Sequence, residues 1–254
     1  MLGRIAMSYF YYLPESGDAS IGRMSQPIQS TTYRNHFFYA GTAVAFALSV
    51  FVGFSRTYYF RGLFGTPHLS TLKHIHGAVF TLWMVFFVCQ TLLVSAGRTD
   101  LHRRIGWAGA IFALAIAVLG GVMTFQSVRD GYASGRPGMA LLLINGVIDL
   151  LLFCGFFAFA LIFRGRKEIH KRLMMLAMIS LIIPALGRFP VPGGMIKWVI
   201  CAFSLTGVIY DLVFLRRLYL TNIVGALLIN AGSPLRFMIA DTEAWQKFSE
   251  WFTR

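Results

Sequence analysis

Between Lys73 and Arg98 the chain carries no Asp, Glu, Lys or Arg. An uncharged apolar run of that length is enough to cross the hydrocarbon core of a bilayer, which takes about 20 residues of helix. Similar runs recur along the sequence and predict spans at about 37–55, 74–95, 105–127, 139–163, 173–186, 195–215 and 218–229. The fourth contains Asp149, the fifth is short and interrupted by Pro184, and the sixth carries Lys197 and Asp211 near its ends. Asn230, Gly232 and Pro234 close the seventh. Runs this long exclude barrel strands, which are shorter and alternate apolar with polar residues. A helix also satisfies its own backbone hydrogen bonds, as the bilayer core demands. The expected fold is therefore all-α, an integral membrane bundle of about seven transmembrane helices.

Composition agrees. Hydrophobic residues make up 57% of the 254 and charged residues 13%, about half the share usual in soluble domains. The formal net charge is +13, but the cations lie in short clusters between apolar runs. That distribution suits anionic headgroups and topology control, not a nucleic-acid face. The lipid bilayer is the expected surrounding, and nucleic acid is excluded as a partner. Cys89, Cys154 and Cys201 each sit inside an apolar run without metal-ligand spacing and read as small buried hydrophobes.

Residues 1–35 read as a retained tail and not a secretory signal, because Pro14, Glu15, Asp18, Arg23 and Pro27 leave no clean apolar core before a cleavage site. Tyr9, Phe10, Tyr11 and Tyr12 are candidates to touch the membrane surface. Residues 36–232 form the bundle. Residues 233–254, with Trp245, Phe248, Trp251 and Phe252 at helical spacing among Asp241, Glu243, Lys247 and Glu250, predict an amphipathic helix at the interface. The densest basic cluster, Arg164, Arg166, Lys167, Lys171 and Arg172, follows the fourth span. The positive-inside rule then sets the N-terminus in the cytoplasm and the C-terminus outside, as in a bacterial inner membrane.

With that orientation two polar groups emerge, and intramembrane polar residues are functional candidates. The inner group rests on a repeated phrase, Leu-His-Arg-Arg-Ile-Gly from Leu101 and Ile-His-Lys-Arg-Leu-Met from Ile169. It sets His102 and His170 at one depth on two helices of the same direction. Paired imidazoles across a bundle suit axial ligation of a haem iron, with the adjacent cations on its propionates. The same phrase also serves as an interfacial anchor that snorkels to lipid phosphates. Gln90, Asp211, Tyr219 and Asn222 are candidates for an inner polar patch that caps or bridges helices. The outer group comprises Arg56, His74, His76, Asn145, Asp149 and Arg188. Asn145 and Asp149 share a helix face. Asp149 needs a cationic or imidazole partner, with Arg188 or a His as the candidate. A metal, proton or quinone-headgroup site and a structural ion pair are both open readings. No metalloprotease, nucleophile-elbow or phosphate-loop pattern occurs.

The phrases at 101–106 and 169–174, with His-x-His-Gly at 74–77 and Arg188-Phe189-Pro190, resemble a group of bacterial polytopic membrane proteins of unknown function over about residues 37–252. The chain also resembles the diheme membrane cytochromes b, in which four consecutive helices each supply a His and pair alternately. That resemblance implies a b-type haem between His102 and His170 and electron transfer linked to quinone. The fourth helix departs from the pattern, with Asn145 and Asp149 where a second pair needs a His. The alternatives to an electron-transfer protein are an ion- or proton-coupled transporter using Asp149, Arg188 and the 74–76 turn, and a non-catalytic subunit of a larger membrane complex.

Overall fold

The computed structural model describes residues 25–253, with side chains from residue 33 onward apart from those of residues 193 and 233. Residues 1–24, including the aromatic stretch at 9–12, lie outside the described residues. The chain divides at Asn35, and residues 36–254 form the compact body. Eight α-helices follow in order: α1 Ser25–Phe54, α2 Thr71–Ser95, α3 Thr99–Ala133, α4 Met139–Ile162, α5 Lys167–Leu186, α6 Ile196–Tyr210, α7 Leu220–Ala240 and α8 Glu243–Thr253. A π turn, Ser55–Tyr59, prolongs α1, and another, Asp211–Leu215, prolongs α6.

Among the described residues seven helices are long and apolar enough to cross a membrane, so the chain is an integral membrane protein of the expected all-α, multi-pass class. Their outer faces remain apolar: Leu82, Ile111, Leu114, Leu151 and Ile209 are all more than half exposed in the isolated chain. Water does not tolerate such a surface on this scale, whereas lipid does. Consecutive helices run in opposite directions between two ends. The proximal end holds the starts of α3, α5 and α7 and the links at 96–98, 163–166 and 216–219. The distal end holds the starts of α2, α4 and α6, and α8.

Helix α5 is the core element. About 61% of its apolar window is buried, against 17–39% for the other six. Leu176, Met178, Ile179 and Ile182 are fully enclosed. Trp83 of α2 buries its ring against Phe153 and Phe157 of α4 and donates from Nε1 to Met178 Sδ at 3.1 Å. Two glycines set how closely the neighbours come. A side chain at Gly53 of α1 would collide with the Ala185 backbone of α5, and one at Gly225 of α7 with Leu176. Close approach through small residues replaces the hydrophobic drive that lipid cannot supply.

The helices differ from the sequence expectation mainly at their ends. Helix α3 is 35 residues long, about 52 Å at 1.5 Å per residue, and exceeds the roughly 30 Å hydrocarbon core. Helix α5 continues through Pro184, at the cost of the one hydrogen bond that residue 184 would have donated to the Ser180 carbonyl. Helix α7 runs through Asn230, Gly232 and Pro234 to Ala240, so the bundle does not stop at 232. Asn230 is held in place by donating from Nδ2 to Ser204 Oγ at 2.6 Å and to the Ala226 carbonyl at 2.8 Å.

One charged cluster ties the proximal end together. Arg172 of α5 is 0% exposed. Its Nε donates to Asp211 Oδ2 at 3.0 Å, its Nη2 pairs with Asp211 Oδ1, and its Nη1 donates to the Glu168 carbonyl and to Glu168 Oε2 at 2.8 and 2.7 Å. The guanidinium lies 3.4 Å from the centre of the Tyr219 ring, and Asn222 Nδ2 donates to Asp211 Oδ2 at 2.8 Å. Of the expected patch of Gln90, Asp211, Tyr219 and Asn222, the last three gather around an arginine, whereas the Gln90 side chain makes no hydrogen bond. We expect Arg172→Met to destabilise the protein by about 3–5 kcal/mol in mixed-micelle unfolding, because Asp211 is left buried and unpaired. The double variant Arg172→Met/Asp211→Leu should recover most of that loss.

Candidate functional site

The first turns of α3 and α5 start beside each other at the proximal end, which brings His102 and His170 together. Their ring centres are 6.4 Å apart with planes at 78°. His170 Nδ1 is 2.8 Å from the Ala160 carbonyl of α4. A carbonyl accepts, so Nδ1 is the donor of this contact and Nε2 faces away from it. The His102 ring lies against the Gln90 backbone of α2, and its Nδ1 is buried without a hydrogen bond. Gln90 is 8% exposed, and neither its Oε1 nor its Nε2 has a hydrogen-bond partner. The two histidine rings from α3 and α5 thus stand close together, beside the backbone of α2 at Gln90.

The cations after the two histidines differ in their surroundings. Arg103 and Arg104 are exposed beside His102. Lys171 is bonded to Glu168 at 2.8 Å, and Arg172 is committed to Asp211 and Glu168. Two residues on a helix point about 200° apart, so Arg172 turns away from the side that His170 presents to α4.

The six residues of the distal group do not form one site. Helix α2 has already begun at Thr71, so His74 and His76 diverge. The His74 carbonyl accepts from Tyr58 Oη at 3.2 Å. His76 stacks on Phe80 with centres 4.1 Å apart and lies against the Leu119 backbone of α3. Arg56 is exposed over the Phe64 ring. Arg188 lies over the Phe54 ring at 4.6 Å and donates from Nη1 to the Pro184 carbonyl at 2.5 Å. It thus caps the end of α5 and does not pair with Asp149.

The partner of Asp149 is Arg236 of α7, with Nη2 2.7 Å from Oδ1. Both residues are buried, at 7% and 6% exposure. Asn145 is half-buried one turn away on α4. Arg236 escaped the sequence reading because it falls beyond Pro234, in a stretch read as tail. A signal was present: Arg236 is flanked by Leu235 and by Phe237, Met238 and Ile239, and a lone cation in an apolar stretch needs an acid nearby.

Helix α8 packs on α3 and α4 at the distal end. Trp245 Nε1 donates to the Ala140 carbonyl at 2.9 Å, and Tyr132 Oη and Ser249 Oγ are 2.5 Å apart. Among the described residues no group of three or more His, Cys, Asp and Glu is gathered to hold a metal ion.

Arg236→Met should lower stability by about 3 kcal/mol or more, since it strands a buried carboxylate. Arg188→Met should cost about 1 kcal/mol or less, the value of one capping hydrogen bond. Unfolding of both variants in mixed micelles tests this assignment, and equal losses would contradict it. No protein-family model, curated protein or solved structure matches the chain.

Proposed function

We propose that this integral membrane protein is an electron-transfer protein that holds a b-type haem between His102 and His170 and exchanges electrons with a membrane-dissolved carrier such as a quinone. The observation that carries this reading is the spacing of the two rings. Imidazoles that bind one iron from opposite sides, through metal–nitrogen bonds of about 2 Å, have their centres about 6 Å apart, and these are 6.4 Å apart. The side-chain chemistry fits as well. The His170 Nδ1 contact with the Ala160 carbonyl is the support that orients a ligating imidazole and leaves Nε2 for the metal. The unanswered Nδ1 of His102 and the side chain of Gln90 suit a site completed by a guest. Arg103 and Arg104 are the cations placed to hold propionates. A haem bound there supplies a one-electron couple inside the membrane.

The direct test is an absorption spectrum of the purified chain, oxidised and then reduced with dithionite. A Soret band that sharpens on reduction, with α and β bands, is the expected result. His170→Ala should lose those bands while its far-ultraviolet circular dichroism stays helical. A featureless spectrum from haem-replete cells, or undiminished haem in a folded His170→Ala variant, would overturn the proposal. A second reading, proton- or ion-coupled transport, draws on a different observation, the Asp149–Arg236 pair.

A further inference from the structure

Helix α8 meets the bundle through its hydroxyl face and turns its aromatic face away. Ser249 and Thr253, one turn apart, are buried. Ser249 meets Tyr132 of α3, and Thr253 Oγ1 donates to the Ser249 carbonyl at 2.7 Å. Phe248, Trp251 and Phe252 are exposed. On a helix surrounded by water the apolar face docks inward. The reverse arrangement suits a helix whose outer side meets lipid. Between α8 and the last turns of α3 lies a cleft of about 420 Å³, lined by Arg129, Tyr132, Ala133, Glu250 and Thr253.

The cleft lies at headgroup depth. Residues 105–128 of α3 carry no charge, and that run is about 36 Å of helix, enough to cross the roughly 30 Å hydrocarbon core. Arg129 is the first charge beyond it. Leu114, Val118, Val122, Phe125 and Arg129 recur at helical spacing, so they share one face of α3. Leu114, Val118 and Val122 are exposed, and Phe125 meets Phe252 of α8 edge-on with ring centres 5.5 Å apart. An apolar track thus runs from the cleft toward the middle of the span. From Arg129 to Val118 it measures about 16 Å, the depth of one leaflet of hydrocarbon. The cleft itself carries one charge of each sign. Among the described residues neither the Arg129 nor the Glu250 side chain has an ion-pair or hydrogen-bond partner. Asp130 follows Arg129 about 100° round the helix and does not line the cleft.

We propose that the α3–α8 cleft holds the headgroup of one phospholipid of the phosphatidylethanolamine kind, with an acyl chain laid along the Val122–Val118–Leu114 track. The reason is charge and hydrogen-bond matching. The Arg129 guanidinium suits the phosphate. A primary ammonium brings three donors, and the cleft offers acceptors for them. These are the Glu250 carboxylate and Thr253 Oγ1, whose own hydrogen goes to the Ser249 carbonyl. An anionic headgroup has no cation for Glu250 and meets its repulsion. A choline has no N–H to donate, and the aromatic cage that recognises it is not built here, since Tyr132 is the one ring lining the cleft among the described residues. The site is separate from the histidine pair and does not depend on a haem there.

The test uses the full chain in a mild detergent, titrated with dioleoyl phosphatidylethanolamine, phosphatidylcholine or phosphatidylglycerol and read by native mass spectrometry, which counts the lipids retained. One phosphatidylethanolamine should be held about fivefold more tightly than either of the others, the worth of one exposed ion pair. Glu250→Gln should erase the preference over phosphatidylcholine. Arg129→Gln should weaken retention of all three lipids, also by about fivefold. Both side chains are exposed, so neither variant disturbs the core, and circular dichroism should stay unchanged. Glycerophosphoethanolamine, which has the headgroup and no acyl chains, should fail to displace the lipid. Equal retention of the three lipids, a preference that survives in Glu250→Gln, or displacement by an equal concentration of glycerophosphoethanolamine would each overturn the proposal.

Discussion

A guanidinium withdrawn from water keeps its charge at any accessible pH, so the protein must answer its donors or leave them exposed. Arg172 is the place where this chain meets that demand in full. Asp211, Glu168 and the Tyr219 face close around it, and Asn222 steadies Asp211 in turn. These contacts join the start of α5 to the end of α6 and the start of α7. The π turn after Tyr210 begins at Asp211 itself, so the wider helical turn coincides with the residue that reaches across. Such buried networks are weak arguments for stability and better ones for a fixed arrangement. Here the arrangement being fixed is the rotation of α5 about its own axis.

That rotation governs the candidate haem site. Because His170 is two residues before Arg172, turning the arginine toward α6 and α7 turns the histidine toward α4, where the Ala160 carbonyl meets it. His102 arrives independently, on the first turn of α3. Arg172 is thus partnered on all three of its nitrogens, whereas His102 and Gln90 keep buried polar atoms without a hydrogen-bond partner.

Much of the architecture was legible in the sequence, because the signal was apolar length and lipid imposes it directly. The spans around Trp83, Phe153 and Ile116 needed no tertiary information. Helix ends were less legible. Pro184 and Pro234 read as breaks, but each removes only the one bond its own N–H would have donated, and the Asn230–Ser204 hydrogen bond ties α7 to α6 just before Pro234. The approach of His102 to His170 followed from the repeated phrase and the parallel direction of two helices. The partner of Asp149 did not follow, since pairing across helices depends on which faces meet. Depth pointed to Arg188 or a histidine, whereas the partner on α7 is Arg236.

The Arg172 cluster also bears on how such a chain enters a membrane. Asp211 follows Arg172 by 39 residues, so α5 emerges from the ribosome well before its main counter-charge. Glu168, one turn away on the same helix, is the only acid of the cluster already beside the guanidinium at that stage. Glu168 is thus a counter-charge that α5 carries with it and keeps in the folded protein, whereas Asp211 comes only with the end of α6. The order of synthesis and the order of charge compensation are thereby matched within a single helical hairpin.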